Sequence, residues 1–160
     1  MNKVQRKIGS KIGPIYLVAS SEALYGVLWE KEPGITPEPQ NAPQRALLDK
    51  TERQITEYLA GERKVFDVPL ALEGTDFQKR VWERLSKIPY GETRAYKDIA
   101  KELKDPNASR AVGTANGRNP ISLIIPCHRV IASDGTLGGY AGGLSIKARL
   151  LSLEQAEKRK

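Results

Sequence analysis

Two apolar, β-favouring runs, residues 13–20 and 24–30, flank Ser20-Ser21-Glu22 and predict a β-hairpin. Residues 32–43 hold four prolines and predict a loop. From 44 to 59 the apolar positions Leu48, Ile55 and Tyr58/Leu59 fall at helical spacing, and Gly61 ends the pattern. Residues 65–72 are consistent with a third strand, and Glu73-Gly74 reads as a boundary. The rest of the chain is helical in pattern. Thr75 and Gln78 form a capping box ahead of a helix that aligns Phe77, Val81 and Leu85. Pro89-Tyr90-Gly91 breaks the chain. A helix over 96–103, a turn at 104–107 with Asn107 as cap, and a helix over 108–115 predict a helix-turn-helix. Residues 121–126 are apolar and read as buried. Residues 134–143 carry five glycines around Tyr140, without the spacing of a dinucleotide or phosphate loop. Ser145 is placed to cap a last helix, to about 155, that sets Glu154 on the same stripe as Ile146 and Leu150. A carboxylate there is rarely buried without a partner.

These elements predict an α/β protein in two domains, 1–73 and 74–160. The length, 160 residues, suits that division, and no run approaches the roughly 20 apolar residues of a membrane span. Charge separates the halves. Residues 1–73 hold ten basic and ten acidic side chains, whereas 74–160 hold sixteen and nine. The whole net charge of +7 therefore belongs to the second half, where it suits a polyanionic partner, nucleic acid first, and a simple solubility role about equally. The helix at 108–115 bears the small residues Ala108, Ser109, Ala111, Gly113, Thr114 and Ala115, with Arg110 as its one long side chain. Such a surface suits either close internal packing or close approach to nucleic acid.

The only cysteine, Cys127, and the only histidine, His128, are adjacent and follow Pro126. One cysteine forms no internal disulfide, which points to a reducing compartment. One Cys and one His fall short of a zinc site. A lone buried cysteine is most often an inert small hydrophobe. Here an imidazole, Arg129 and the stripe carboxylate Glu154 favour a nucleophile whose ionisation its neighbours assist. Neighbouring side chains seldom point at each other, so a water would link Cys127 to His128, with Glu154 orienting the ring. A cysteine hydrolase could use the same three groups.

Asn119-Pro120, Pro126-Cys127-His128-Arg129-Val130 and Gly138-Gly139-Tyr140-Ala141-Gly142-Gly143 together resemble the signature of the 6-O-alkylguanine-DNA alkyltransferases. The resemblance runs from about Thr75 to Glu154, through Phe77-Gln78, Val81-Trp82, Ile88-Pro89-Tyr90-Gly91, Tyr96 and Ser109-Arg110-Ala111-Val112-Gly113. Before residue 74 it is looser, resting on layout and on Phe66-Asp67-Val68-Pro69-Leu70. It implies a ribonuclease-H-like first domain with a structural role and a winged-helix-like second domain that binds DNA. It also implies a single irreversible transfer of an alkyl group from guanine in duplex DNA to Cys127, with base flipping and no cofactor. His128 would be the base, Glu154 its orienting group, and Asn119 the brace of the turn. Tyr96 would press on the DNA backbone and donate to the leaving guanine. Arg110 would fill the gap left by the flipped nucleotide, while Ala108, Ala111, Thr114 and Ala115 would face the minor groove. Val130, Tyr140 and Ala141 would line the base pocket.

Three positions depart from common family choices: Ala95 where a capping Ser is frequent, Ala141 where some members have Ser, and Ser122 where some have Pro. The zinc site of animal members has no ligands here. A non-catalytic lesion binder of the alkyltransferase-like kind lacks the acceptor cysteine, which this chain has. The expected state is a monomer without membrane association, cytoplasmic or nucleoid-associated, or nuclear in a eukaryote.

Overall fold

The structure, a computed structural model, describes residues 2–37 and 39–158. Two compact units, Met1–Glu73 and Gly74–Lys160, divide the chain.

The first unit is an antiparallel sheet with one helix. Strands β1 (Val4–Ile8), β2 (Ile15–Ala19) and β3 (Leu24–Leu28) pair in the order β1-β2-β3. The β2–β3 hairpin is the one its sequence pattern predicts. β1 is not evident in the sequence, because Arg6 and Lys7 interrupt its apolar run. Arg6 instead bonds Asp49 at 2.7 Å and Glu52 at 3.1 Å on helix α1 (Ala42–Leu59). Asn41 caps α1 by accepting the Gln44 N–H at 2.9 Å. The helix buries Leu47, Leu48, Ile55, Tyr58 and Leu59 at i, i+3, i+4 spacing, and Ile15, Leu17 and Leu24 are buried on the strands. Each such side chain contributes roughly 1.5–3 kcal/mol when removed from water. Residues 65–72 do not form the expected third strand. Pro69 has no N–H to extend a ladder, so pairing stops at a single bridge between Leu24 and Leu70.

The second unit starts at the Thr75–Gln78 capping box, in which both reciprocal bonds form, at 3.0 and 3.1 Å. Helix α2 (Asp76–Leu85) buries Val81, Trp82 and Leu85, while Phe77 is half-buried. The indole N–H of Trp82 donates to the Ala115 carbonyl at 2.9 Å and ties α2 to helix α4 (Ser109–Gly117). Helix α3 (Tyr96–Glu102) and α4 make the helix-turn-helix. Ala95 offers no capping oxygen, and the Asp98 carboxylate accepts the Ala95 N–H at 2.9 Å. Asn107 does not cap α4: the helix begins one residue later than expected, with Ala108 in the cap position.

Two short strands place the site. β4 (Arg94–Ala95) and β5 (Val130–Ile131) pair in parallel, Arg94 with Val130 and Ala95 with Ile131. This sets the start of α3 beside the one-turn 3-10 helix Cys127–Arg129. Helix α5 (Leu144–Lys158) closes the unit. Ser145 lies inside its first turn and does not cap it. The Gly143 carbonyl accepts the first helical bond, from Lys147, and Gly143 has a left-handed φ of +99°, which glycine adopts at no steric cost.

Trp82→Phe removes the indole N–H from the Ala115 carbonyl, which the Arg118 N–H still bonds at 3.1 Å, and leaves a void beside the smaller ring. A loss of about 1–3 kcal/mol is expected in urea unfolding, from the lost hydrogen bond and the cavity together.

Candidate active site

Cys127 emerges from a tightly held loop. Asn119 is buried, and its amide nitrogen donates to the carbonyls of Ile125 at 2.8 Å and Ile121 at 3.4 Å. Its oxygen accepts the Ile121 N–H at 3.0 Å. Inside this brace Leu123 adopts φ +70°, a left-handed conformation that non-glycine residues rarely take and that a rigid surround must enforce. The side chains of Asn119 and Ser122 both favour ionisation of the sulfur. Ser122 is therefore part of the thiol's immediate surroundings.

Glu154 is the most heavily bonded side chain of the unit. One carboxylate oxygen accepts from Arg129 Nε at 2.8 Å and from the Gly91 N–H at 3.2 Å. The other accepts from Arg129 Nη2 at 3.0 Å and lies 2.7 Å from His128 Nε2. Arg129 Nη1 also donates to the Ile88 carbonyl at 2.7 Å. Burial alone would raise the Glu154 pKa. The bonds and charges of His128 and Arg129 outweigh it and bring the carboxyl from 4.5 down to about 2. Burial lowers the His128 pKa below 6.5, opposed by Glu154. An ionised carboxylate only accepts, so the neutral imidazole carries its proton on Nε2 and Nδ1 is its basic nitrogen.

The thiol differs from expectation. Cys127 is buried, and burial raises its pKa above 9.0 despite opposing contributions from Asn119, Lys147 and Ser122. The neighbours moderate this shift without reversing it, because no charge pairs with the sulfur directly. The resting group is a protonated thiol that needs a base.

Lys147 was not singled out from the sequence, yet it is fully buried. Its ammonium donates to the carbonyls of Val130 at 2.6 Å, Leu137, and Gly139 at 3.1 Å. These three bonds fasten the glycine-rich loop to β5. Burial lowers its pKa from 10.5 to about 8, and the Cys127 charge opposes this. The available signal was spacing: Lys147, Leu150 and Glu154 follow at three and four residues, placing two opposite charges on one buried stripe.

The loop also meets Tyr96. A Cβ on Gly138 would lie 2.6 Å from the Tyr96 hydroxyl, and Gly138 has φ +71°. Only glycine allows this approach. The Gly139 N–H bonds that hydroxyl, while burial, the larger influence, keeps the phenol protonated and able to donate. The Tyr140 hydroxyl is buried, and burial raises its pKa well above 10 despite an opposing contribution from Ser122. Val130 is buried and Ala141 exposed.

On α4, Arg110, Ala111 and Thr114 are exposed and Ala108 is half-buried. Ala115 does not belong with them. It is 2% exposed and packs inward beneath the Trp82 bond, so the exposed strip is narrower than the sequence suggested. Asn116, also missed, donates to the Cys127 carbonyl at 3.3 Å. Among the described residues, no cluster of three metal-ligating side chains occurs and no helix is long and apolar enough to cross a membrane.

Fold and site together define an α/β protein whose helix-turn-helix unit holds one buried cysteine beside a histidine–glutamate–arginine network. Residues 76–156 match the DNA-binding domain of 6-O-methylguanine DNA methyltransferase, and residues 4–72 match its ribonuclease-like domain. The chain belongs to the 6-O-methylguanine DNA methyltransferase family. A methylated-DNA--protein-cysteine methyltransferase of Methanosarcina acetivorans is 52% identical, over 91% of this chain and 94% of its own. The corresponding protein of Mycobacterium tuberculosis is 46% identical, over 94% and 92%. A crystal structure of the M. tuberculosis protein in complex with DNA superposes with TM-score 0.87 at 46% identity, covering 96% of this chain and 93% of that one.

Two outcomes are expected. Glu154→Gln removes the charge that compensates buried Arg129 and should cost about 3–5 kcal/mol in chemical denaturation. The wild type should also lose stability in acid. His128 has a depressed folded pKa, so protons favour the unfolded chain as pH falls through 6.5. The Glu154 contribution is complete above 4.5 and disappears toward pH 2. Unfolding midpoints measured across this range should fall in both windows; a flat profile would contradict the charge assignment.

Proposed function

We propose that this protein repairs DNA by moving the alkyl group of a 6-O-alkylguanine in duplex DNA onto Cys127, once per molecule. The observation that carries this reading is the buried Cys127 thiol beside a neutral His128 whose tautomer Glu154 fixes, in the unit that also presents the exposed α4 surface. The basic nitrogen of His128 takes the thiol proton through a water. The sulfur then attacks the alkyl carbon, an S–C bond forms, and the C–O bond to guanine breaks. The guanine oxygen carries away the electron pair, and the Tyr96 hydroxyl supplies a proton to the departing base. Cys127 is left as a thioether, which water does not readily cleave. No cofactor takes part in this scheme.

The remaining roles follow the geometry. Arg110 stands exposed where a duplex would meet α4 and would occupy the space of the flipped nucleotide, offsetting part of an extrusion cost of a few kcal/mol. Ala108, Ala111 and Thr114 let the backbone come close to the groove. The Lys147-anchored loop supplies the pocket wall through Tyr140 and Ala141, with Val130 opposite. Lys147 also places a positive charge near the developing thiolate. The first unit holds no role in the chemistry. The reading places the protein as a monomer in a reducing compartment that holds DNA: cytoplasmic or nucleoid-associated, or nuclear in a eukaryote.

Intact-protein mass spectrometry after mixing with a duplex carrying one 6-O-methylguanine tests the core of the proposal. One methyl group should appear on the Cys127 peptide and be absent in Cys127→Ala. Product in excess of protein would instead indicate a hydrolase. Lys147→Met should slow transfer roughly 100-fold, the effect of losing a preorganised charge, and move the pH–rate profile to higher pH. An unchanged profile would remove Lys147 from the thiol's electrostatics.

A further inference from the structure

The C-terminal turn of α4 carries a polar side chain that the proposed reaction does not use. Asn116 is 3% exposed. Its amide nitrogen donates to the Cys127 carbonyl at 3.3 Å, while its amide oxygen is buried and makes no hydrogen bond among the described residues. An unsatisfied buried acceptor is costly, and an apolar side chain of similar size would avoid it. The donated bond is not needed to satisfy the Cys127 carbonyl either, because the Val130 N–H already bonds it. Stability therefore gives no reason for an asparagine here.

Geometry gives one. The outward side of α4 bears Arg110, Ala111 and Thr114, and the inward side bears Val112, Ala115 and Asn116. The helix spans only nine residues and is tied by the Trp82 indole at Ala115, so it moves as one body. A side chain on its inner face that holds the backbone of the acceptor residue fixes the sulfur in the frame of the surface that would meet DNA.

We propose that Asn116 is a positioning residue that couples the DNA-facing helix to the acceptor cysteine, so that a base delivered by a duplex meets the sulfur in line. This rests on the alkyl-transfer reading above. A free alkylated base enters the pocket without being registered by α4, so its reaction does not depend on this link. A duplex-bound base cannot readjust, and an error near 1 Å in such a site can cost up to about 100-fold.

The test compares the full-length wild type with Asn116→Leu and Asn116→Ala. Single-turnover transfer from a duplex carrying one 6-O-methylguanine is measured beside transfer from free 6-O-benzylguanine, together with duplex affinity and thermal midpoint. In both variants the duplex rate should fall about tenfold while the free-base rate stays within about twofold. Affinity and the Asn116→Leu midpoint should match wild type. Asn116→Ala guards against poor accommodation of leucine. Equal losses on the two substrates, or no loss on either, would overturn the coupling, because a purely structural role lowers both together. If the wild type transfers from neither substrate, the functional reading itself fails, and that result is recognised before any variant is compared.

Discussion

The second unit depends on the ionised carboxylate of Glu154. A charge this deeply buried is tolerated only because four donors converge on it: two guanidinium nitrogens of Arg129, one imidazole nitrogen of His128 and the Gly91 N–H. Those donors come from the break after α2 and from the 3-10 turn, in which His128 follows the acceptor directly. The carboxylate thereby ties these two segments to α5 at one point. It also determines the chemistry of the histidine, since an acceptor-only partner holds the proton on Nε2 and leaves Nδ1 to act as a base.

The thiol is arranged on a different principle. Burial keeps Cys127 protonated at rest, and the charge of Lys147 together with the contributions of Asn119 and Ser122 is available mainly to the thiolate once it forms. Such an arrangement protects an unrepairable nucleophile from indiscriminate reaction, since the thiolate is the reactive form. It also explains why a buried lysine is present. Its three carbonyl partners satisfy the buried ammonium, and those partners are the backbone of β5 and of the glycine-rich loop. Positive charge and loop geometry therefore depend on the same side chain.

Glycine serves the site where a side chain would collide. At Gly138 the left-handed φ and the neighbouring Tyr96 hydroxyl exclude a Cβ. At Gly91 the φ of +79° turns the N–H onto Glu154. The parallel pairing of β4 with β5 completes the assembly, bringing Tyr96 and Val130 together from positions far apart in the chain.

Local rules in the sequence were enough for the β2–β3 hairpin, the capping box of α2, the span of α1, and a helix pair followed by a buried cysteine turn. Spacing alone put Glu154 on a buried stripe, and a motif of adjacent residues marked Cys127 and His128. What the sequence could not determine depends on distant partners. β1 reads as polar until the acidic residues of α1 pair with Arg6, and residues 65–72 read as a strand although Pro69, without an N–H, limits their pairing to one bridge. Ala115 belongs to the core because Trp82, thirty-three residues earlier, bonds its carbonyl. Lys147 and Asn116 look like ordinary polar positions, and only packing buries them. The direction of the Cys127 pKa likewise follows from total burial. Periodicity and capping act over a few residues, so the sequence determines them alone; burial and charge compensation act across the fold, so only the tertiary structure decides them.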